Sequence, residues 1–166
     1  MSFQKPKINK ISTDIKGLTI YLRTIKKWGK STLFRDVILE KYGDPSYGLS
    51  VGCGKEKGEK LLDNLNVTRI QTYKDAVELK QWLIEQKGKE HNIEIISFDT
   101  VDELVPIFEK ETIRVSNTDN PTKKVSTINA AMGGYQEGQR YTAEKIKDYM
   151  DELSEAGFGI WGIAHT

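Results

Sequence analysis

Only one cysteine, Cys53, occurs in the 166-residue chain, so an internal disulfide is excluded and a cysteine-built metal site has little to stand on. Prolines are few, four in all, and no internal repeat or low-complexity tract interrupts the sequence. No apolar run approaches the ~20 residues that a membrane-spanning helix needs. Met1 to Lys10 is Lys-rich and lacks the apolar core of a secretory signal, which together lead us to expect a soluble, cytoplasmic protein with no membrane partner. Net charge is also missing: 25 basic side chains face 24 acidic ones, so no global attraction to nucleic acid follows, although a local patch is not excluded.

What is present is order along the chain. Its length suits one α/β domain and is short for two, and it divides into an N-terminal arm, 1–16, and a core, 17–166. Lys dominates the charged residues of the first 60, whereas Asp and Glu gather around 99–111 and 144–155. Leu18 to Leu22 reads as a strand, and Leu33, Phe34, Val37 and Ile38 repeat at helical spacing up to the stop at Tyr42-Gly43. Asp44-Pro45-Ser46 is a turn before a second strand, Tyr47 to Gly52. Val67 to Gln71 is a third strand, and Thr72 with Asp75 three residues on opens a helix to about Gln86. Ile93 to Phe98 is the most apolar strand, and Phe158 to Ala164 is the last. Strands alternating with helices predict a mostly parallel sheet flanked by helices.

Two stretches are less regular. Val101 to Val115 is expected to be a helix, with Pro106 tolerable only in its first turn. Ser116 to Gln139 is polar and Gly-rich, and at this length reads equally as a mobile functional loop or as a disordered insertion.

Between the first strand and first helix, the chain carries most of a phosphate-loop signature. In G-x-x-x-x-G-K-[ST], the second Gly, the Lys and the hydroxyl are Gly29, Lys30 and Ser31, while Thr24 holds the first Gly position. Backbone N–H groups of such a loop wrap phosphates, Lys30 adds a point charge and Ser31 offers an oxygen to Mg²⁺. A left-handed backbone at Thr24 would cost about 1–2 kcal/mol relative to glycine. Asp99, after the apolar strand 93–98, stands where a carboxylate would hold Mg²⁺ opposite Ser31. Glu56, just beyond the second strand, is the candidate for activating water, with Glu59, Asp102 and Glu103 as competitors. His165 ends the last strand at the same sheet edge. Trp28 reads either as a local hydrophobic plug or as a surface that stacks on a base.

Taken together, Lys27-Trp28-Gly29-Lys30-Ser31-Thr32, Glu56-Lys57-Gly58, the segment IISFDTVDEL, a Gly-Gly-Tyr loop and the ending IAHT resemble the phage-encoded nucleotide-binding ATPases of the RecA-like P-loop class. The resemblance spans roughly residues 8–166. It implies a RecA-like P-loop NTPase that binds ATP and Mg²⁺ through Thr24 and 27–32, with Lys30, Glu56 and His165 catalytic and Ser31 and Asp99 on the metal. It further implies a role in phage DNA recombination or replication, with single-stranded DNA and a single-stranded-DNA-binding protein as partners, a homo-oligomer, and location in the host cytoplasm. Such a fold continues past a His-Thr ending with further strands, so a C-terminally truncated core with an exposed sheet edge is expected. Lys123, Lys124, Tyr135 and Arg140 are the candidate DNA contacts. The competing readings are a catalytically inactive nucleotide-binding or assembly module, marked by Thr24 and Trp28, and more distantly a small-molecule kinase, for which the five scattered arginines supply no lid.

Overall fold

The computed structural model describes residues 18–25, 27–55 and 65–165; the proposed arm, Glu56, Lys57, Gly58, Glu59 and Thr166 lie outside them. Among the described residues five strands form one all-parallel sheet: β1 (Thr19–Thr24), β2 (Gly48–Cys53), β3 (Asn66–Ile70), β4 (Ile95–Asp99) and β5 (Gly159–His165), in the order β1-β5-β4-β2-β3. The helices are α1 (Lys30–Tyr42), α2 (Tyr73–Gln86), α3 (Val101–Asp119) and α4 (Glu137–Glu155). The predicted α/β architecture is therefore observed.

Burial explains why the inner strands read as continuous apolar runs. Every residue of β2 is buried, as are Ile95 to Phe98 of β4, because helices cover both faces. Alternate residues feed two cores. On one face Phe34 and Ile38 of α1 pack with Ile95 and Trp161, the Phe34 and Trp161 rings meeting edge to face at 5.4 Å. On the other, α2, α3 and α4 close over Val51, Phe98 and Ile160, with the Phe98 and Phe108 rings each meeting Tyr149 edge to face.

The chain leaves β1 at one edge and, after α1, enters β2 three strands away; β4 and β5 fill the gap later. Parallel register then sets which strand ends meet. Thr24 pairs with His165, while Asp99 stands opposite Ile163 on one side and Gly52 on the other. The carboxyl ends of β1, β5, β4 and β2 thus share one rim, and a reversal of strand order at such a rim opens a crevice for ligands.

Three expectations are corrected. Pro106 lies beyond the first turn of α3, yet the helix runs on past it to Asp119. The stretch 116–139 is not one long loop: α3 takes its start, a 3₁₀ turn (Ile128–Gly133) its middle and α4 its end. Side-chain hydroxyls and backbone pin it down. Ser116 Oγ accepts from Met132 N–H at 3.0 Å, Asn117 exchanges hydrogen bonds with both backbone groups of Val125, and Thr112 and Thr142 hydroxyls meet at 2.8 Å between the helices. Thr112 against Thr142 and Phe108 against Tyr149 step in opposite directions along the two helices, so α3 and α4 are antiparallel. Finally, β5 is an interior strand paired on both sides; among the described residues the edges are β1 and β3, so the strand that ends at His165 exposes none.

Candidate functional site

Gly29 makes the turn from loop to helix. Its φ of 90° and ψ of 21° place it in the left-handed region, and its carbonyl accepts the first α1 bond, from Leu33 N–H at 2.8 Å. Lys27 is left-handed too, with φ 64°, a conformation that costs a non-glycine residue about 1–3 kcal/mol. Thr24, by contrast, is the last residue of β1 and needs no left-handed backbone, so the missing first glycine carries no strain.

The first turn of α1 has no capping side chain and no acidic residue. Its leading N–H groups have no intrahelical acceptor either, and with the helix dipole they form a positive pole. Beside it lies Lys30, only 5% exposed. Its ammonium donates to the Thr24 carbonyl at 3.4 Å, the Thr24 hydroxyl at 3.3 Å and the Ile25 carbonyl at 3.1 Å, and it meets His165 Nδ1 at 3.1 Å. Because an ammonium can only donate, Nδ1 must be the acceptor here, which puts the imidazole proton on Nε2. No carboxylate of the described residues pairs with this buried cation.

The nearby carboxylate is engaged elsewhere: Asp99 Oδ2 accepts from Ser31 Oγ at 2.8 Å. Asp99 thus reaches across to α1, while the cap position of α3 belongs to Thr100. Asp102, in the first turn of α3, accepts the backbone N–H of His165 at 2.8 Å and ties β5's end to α3. Among the described residues no group of three His, Cys, Asp or Glu could hold a metal ion unaided. One hydroxyl touching one carboxylate is nevertheless a fitting donor pair for Mg²⁺, which keeps several waters and shares its remaining sites with phosphates.

The structure therefore gathers Thr24, Gly29, Lys30, Ser31, Asp99 and His165 at one rim. Thr32 is exposed in the first turn of α1, and Lys27 and Trp28 project from the loop. Trp28, 58% exposed, is no hydrophobic plug. Glu56 falls outside the described residues. Of the candidate DNA contacts, Tyr135 is 97% exposed and Lys123 and Lys124 are exposed, but Arg140 is committed to Glu137 and Glu144, which hold its guanidinium more firmly protonated than usual. Sequence reasoning did not find the Asp102 bond to His165, since nothing in spacing shows that a helix start turns back onto a strand 63 residues later.

No known protein family matches this chain, and no curated protein does. No helix among the described residues is long and apolar enough to cross a membrane.

Proposed function

We propose that this chain is a P-loop nucleotide-binding protein that holds ATP with Mg²⁺ at the rim of β1, β5 and β4 and hydrolyses it in the handling of DNA. The observation that carries the reading is Lys30: a buried ammonium without a carboxylate partner among the described residues, beside an uncapped helix N-terminus. Burying a charge is costly unless an opposite charge compensates it, and a triphosphate is an anion that would lie against both.

In this reading the first N–H groups of α1 cradle the phosphates and Lys30 swings from the Thr24 and Ile25 carbonyls onto their outer oxygens. Ser31 and Asp99 would hold Mg²⁺, which neutralises charge developing on the transferred phosphoryl group. His165, bonded to Lys30, sits where it senses whether the ammonium has moved. Adenine as the base, single-stranded DNA as the partner, assembly into a homo-oligomer and a cytoplasmic location rest on the RecA-like resemblance; Tyr135, Trp28, Lys123 and Lys124 are the exposed side chains suited to bases and phosphates.

The test is steady-state ATP hydrolysis with and without Mg²⁺ and single-stranded DNA, for wild type and Lys30→Ala. Wild type should turn over only with Mg²⁺ and faster with DNA, and Lys30→Ala should lose about 10²–10³-fold, as when a preorganised electrostatic donor is removed. Tight ATP binding without turnover would instead identify a nucleotide-holding module. Failure to bind ATP at millimolar concentration would defeat the reading.

A further inference from the structure

The first turn of α3 carries a second departure from ordinary helix architecture. Thr100-Val101-Asp102-Glu103 has the T-x-x-E pattern of a capping box, in which the hydroxyl and the carboxylate would satisfy each other's backbone N–H groups. The equivalent pair at the start of α2, Thr72 and Asp75, forms that box in full. At α3 it is not made: Thr100 accepts no capping bond, and its hydroxyl is buried, 1% exposed, with no partner. A buried hydroxyl left unpaired costs free energy, so the chain gives up a stabilising motif that its own sequence offers here.

Glu103 is diverted from the box to the end of β2. Its side chain lies against Gly54, where an added Cβ would come 2.6 Å from Oε2 and 3.2 Å from Glu103 Cβ. Gly54 also has a φ of 62°, so the residue after β2 is doubly fitted to let this carboxylate approach. Neighbouring strands are about 4.8 Å apart. Since β2 adjoins β4, this sets Glu103 one strand away from Asp99 along the rim. Both charges reach the sulfur of Cys53 as well: burial pushes that thiol up, and Asp99 and Glu103 push it the same way. Glu103 is half-buried, and no donor among the described residues pairs with its carboxylate. Asp99 and Asp102, by contrast, are spent on Ser31 and on the His165 backbone.

We infer that Glu103 is the general base of the reaction proposed above, the group that takes the proton from the attacking water. It rests on the ATP-hydrolysis reading. The water oxygen attacks the γ-phosphorus while its proton passes to a Glu103 carboxylate oxygen. The bond from the γ-phosphorus to the β–γ bridging oxygen breaks, and its electron pair leaves with ADP. Inorganic phosphate departs, and Glu103 returns its proton to solvent.

Glu103→Gln is the decisive variant, because Gln suits the third helical position as well as Glu and leaves the helix start sterically unchanged. Turnover and equilibrium ATP–Mg²⁺ binding are measured side by side for wild type, Glu103→Gln and Glu56→Gln, with Gly54→Ala as a second route to displacing the carboxylate. Glu103→Gln should lose about 10²–10⁴-fold in kcat, the span of a general base, with the nucleotide Kd unchanged within about threefold. Gly54→Ala, where it folds, should lose turnover in the same way. Glu103→Gln turning over at nearly the wild-type rate, with Glu56→Gln inactive, would overturn the inference while leaving the ATPase intact. Loss of binding together with turnover in Glu103→Gln would also overturn it, as a structural role. A wild type that does not bind ATP–Mg²⁺ overturns the inference and the ATP reading together.

Discussion

Lys30 is where single-residue chemistry is most exposed to test. Its four acceptors come from the adjacent Thr24 and Ile25 at the end of β1 and from His165 of β5, so one side chain of α1 ties down two other pieces of chain. His165 supplies one of them, through the nitrogen that lacks the proton. Replacing His165 by Ala removes that acceptor but leaves the α1 N-terminus and the carbonyls in place. ATP affinity measured by calorimetry should therefore fall by less than about tenfold, below the usual 1.5–3 kcal/mol worth of a charged hydrogen bond, while turnover in the same preparation falls further. Equal losses in the two would make His165 a binding group. At this scale Lys30 and Ser31 were legible because they are contiguous and the pattern is local. Asp99 and His165 were legible as the last polar residues of apolar strands. Glu103 was legible only as one competitor of Glu56 among several, because only tertiary structure shows its T-x-x-E cap unmade.

Among the elements, α2 and α3 form a contrasting pair. α2 opens with a complete box: Asp75 accepts from Gln71 and Thr72 N–H at 2.9 and 2.8 Å, and Thr72 accepts from Asp75 N–H at 3.2 Å. Those N–H groups, Gln71 first, hold the Asp75 carboxyl below the usual carboxylate range. A depressed acid stabilises the fold fully above its unfolded value of about 3.9 and loses that contribution as pH falls through its lower folded value. Urea denaturation should accordingly show Thr72→Ala costing about 1 kcal/mol at pH 7. The deficit of Asp75→Asn should shrink as pH is lowered below about 4. A Thr72→Ala variant as stable as wild type would mean that packing of Ala76 and Leu83 alone sets this helix start.

Helix existence was read well at this scale and helix extent badly. The buried face of α3 runs Leu104, Ile107, Phe108, Thr112, Ser116; its last two members are hydroxyls, so the apolar pattern ends before the helix does. Thr112 satisfies itself on the Phe108 carbonyl and on Thr142, which is how polar residues come to be buried there. Gly138 of α4 falls within the stretch 116–139 expected to be a loop. It is a close-approach position instead, where a Cβ would sit 2.2 Å from the Ile128 carbonyl oxygen.

For the whole molecule, alternating strands and helices announced a parallel sheet, but strand order was not in the pattern. Placing β5 between β1 and β4 brings His165 beside Lys30, and a different order would have parted them. Register does the rest, because Thr24 opposite His165 and Asp99 opposite Ile163 level the rim. A ligand bound at that rim touches groups on β1, α1, β4 and β5 at once, so it should stabilise the fold as a unit. The central claim, that Lys30 and the open end of α1 form a triphosphate site, is tested most directly by thermal unfolding during an ATP–Mg²⁺ titration of wild type and Lys30→Ala. At a hundredfold excess over Kd, wild type should gain about 2.7 kcal/mol, seen as a rising unfolding temperature that needs Mg²⁺, and Lys30→Ala should gain almost none. An unfolding temperature of wild type that does not move with millimolar ATP–Mg²⁺, or one that rises equally in Lys30→Ala, would contradict the account.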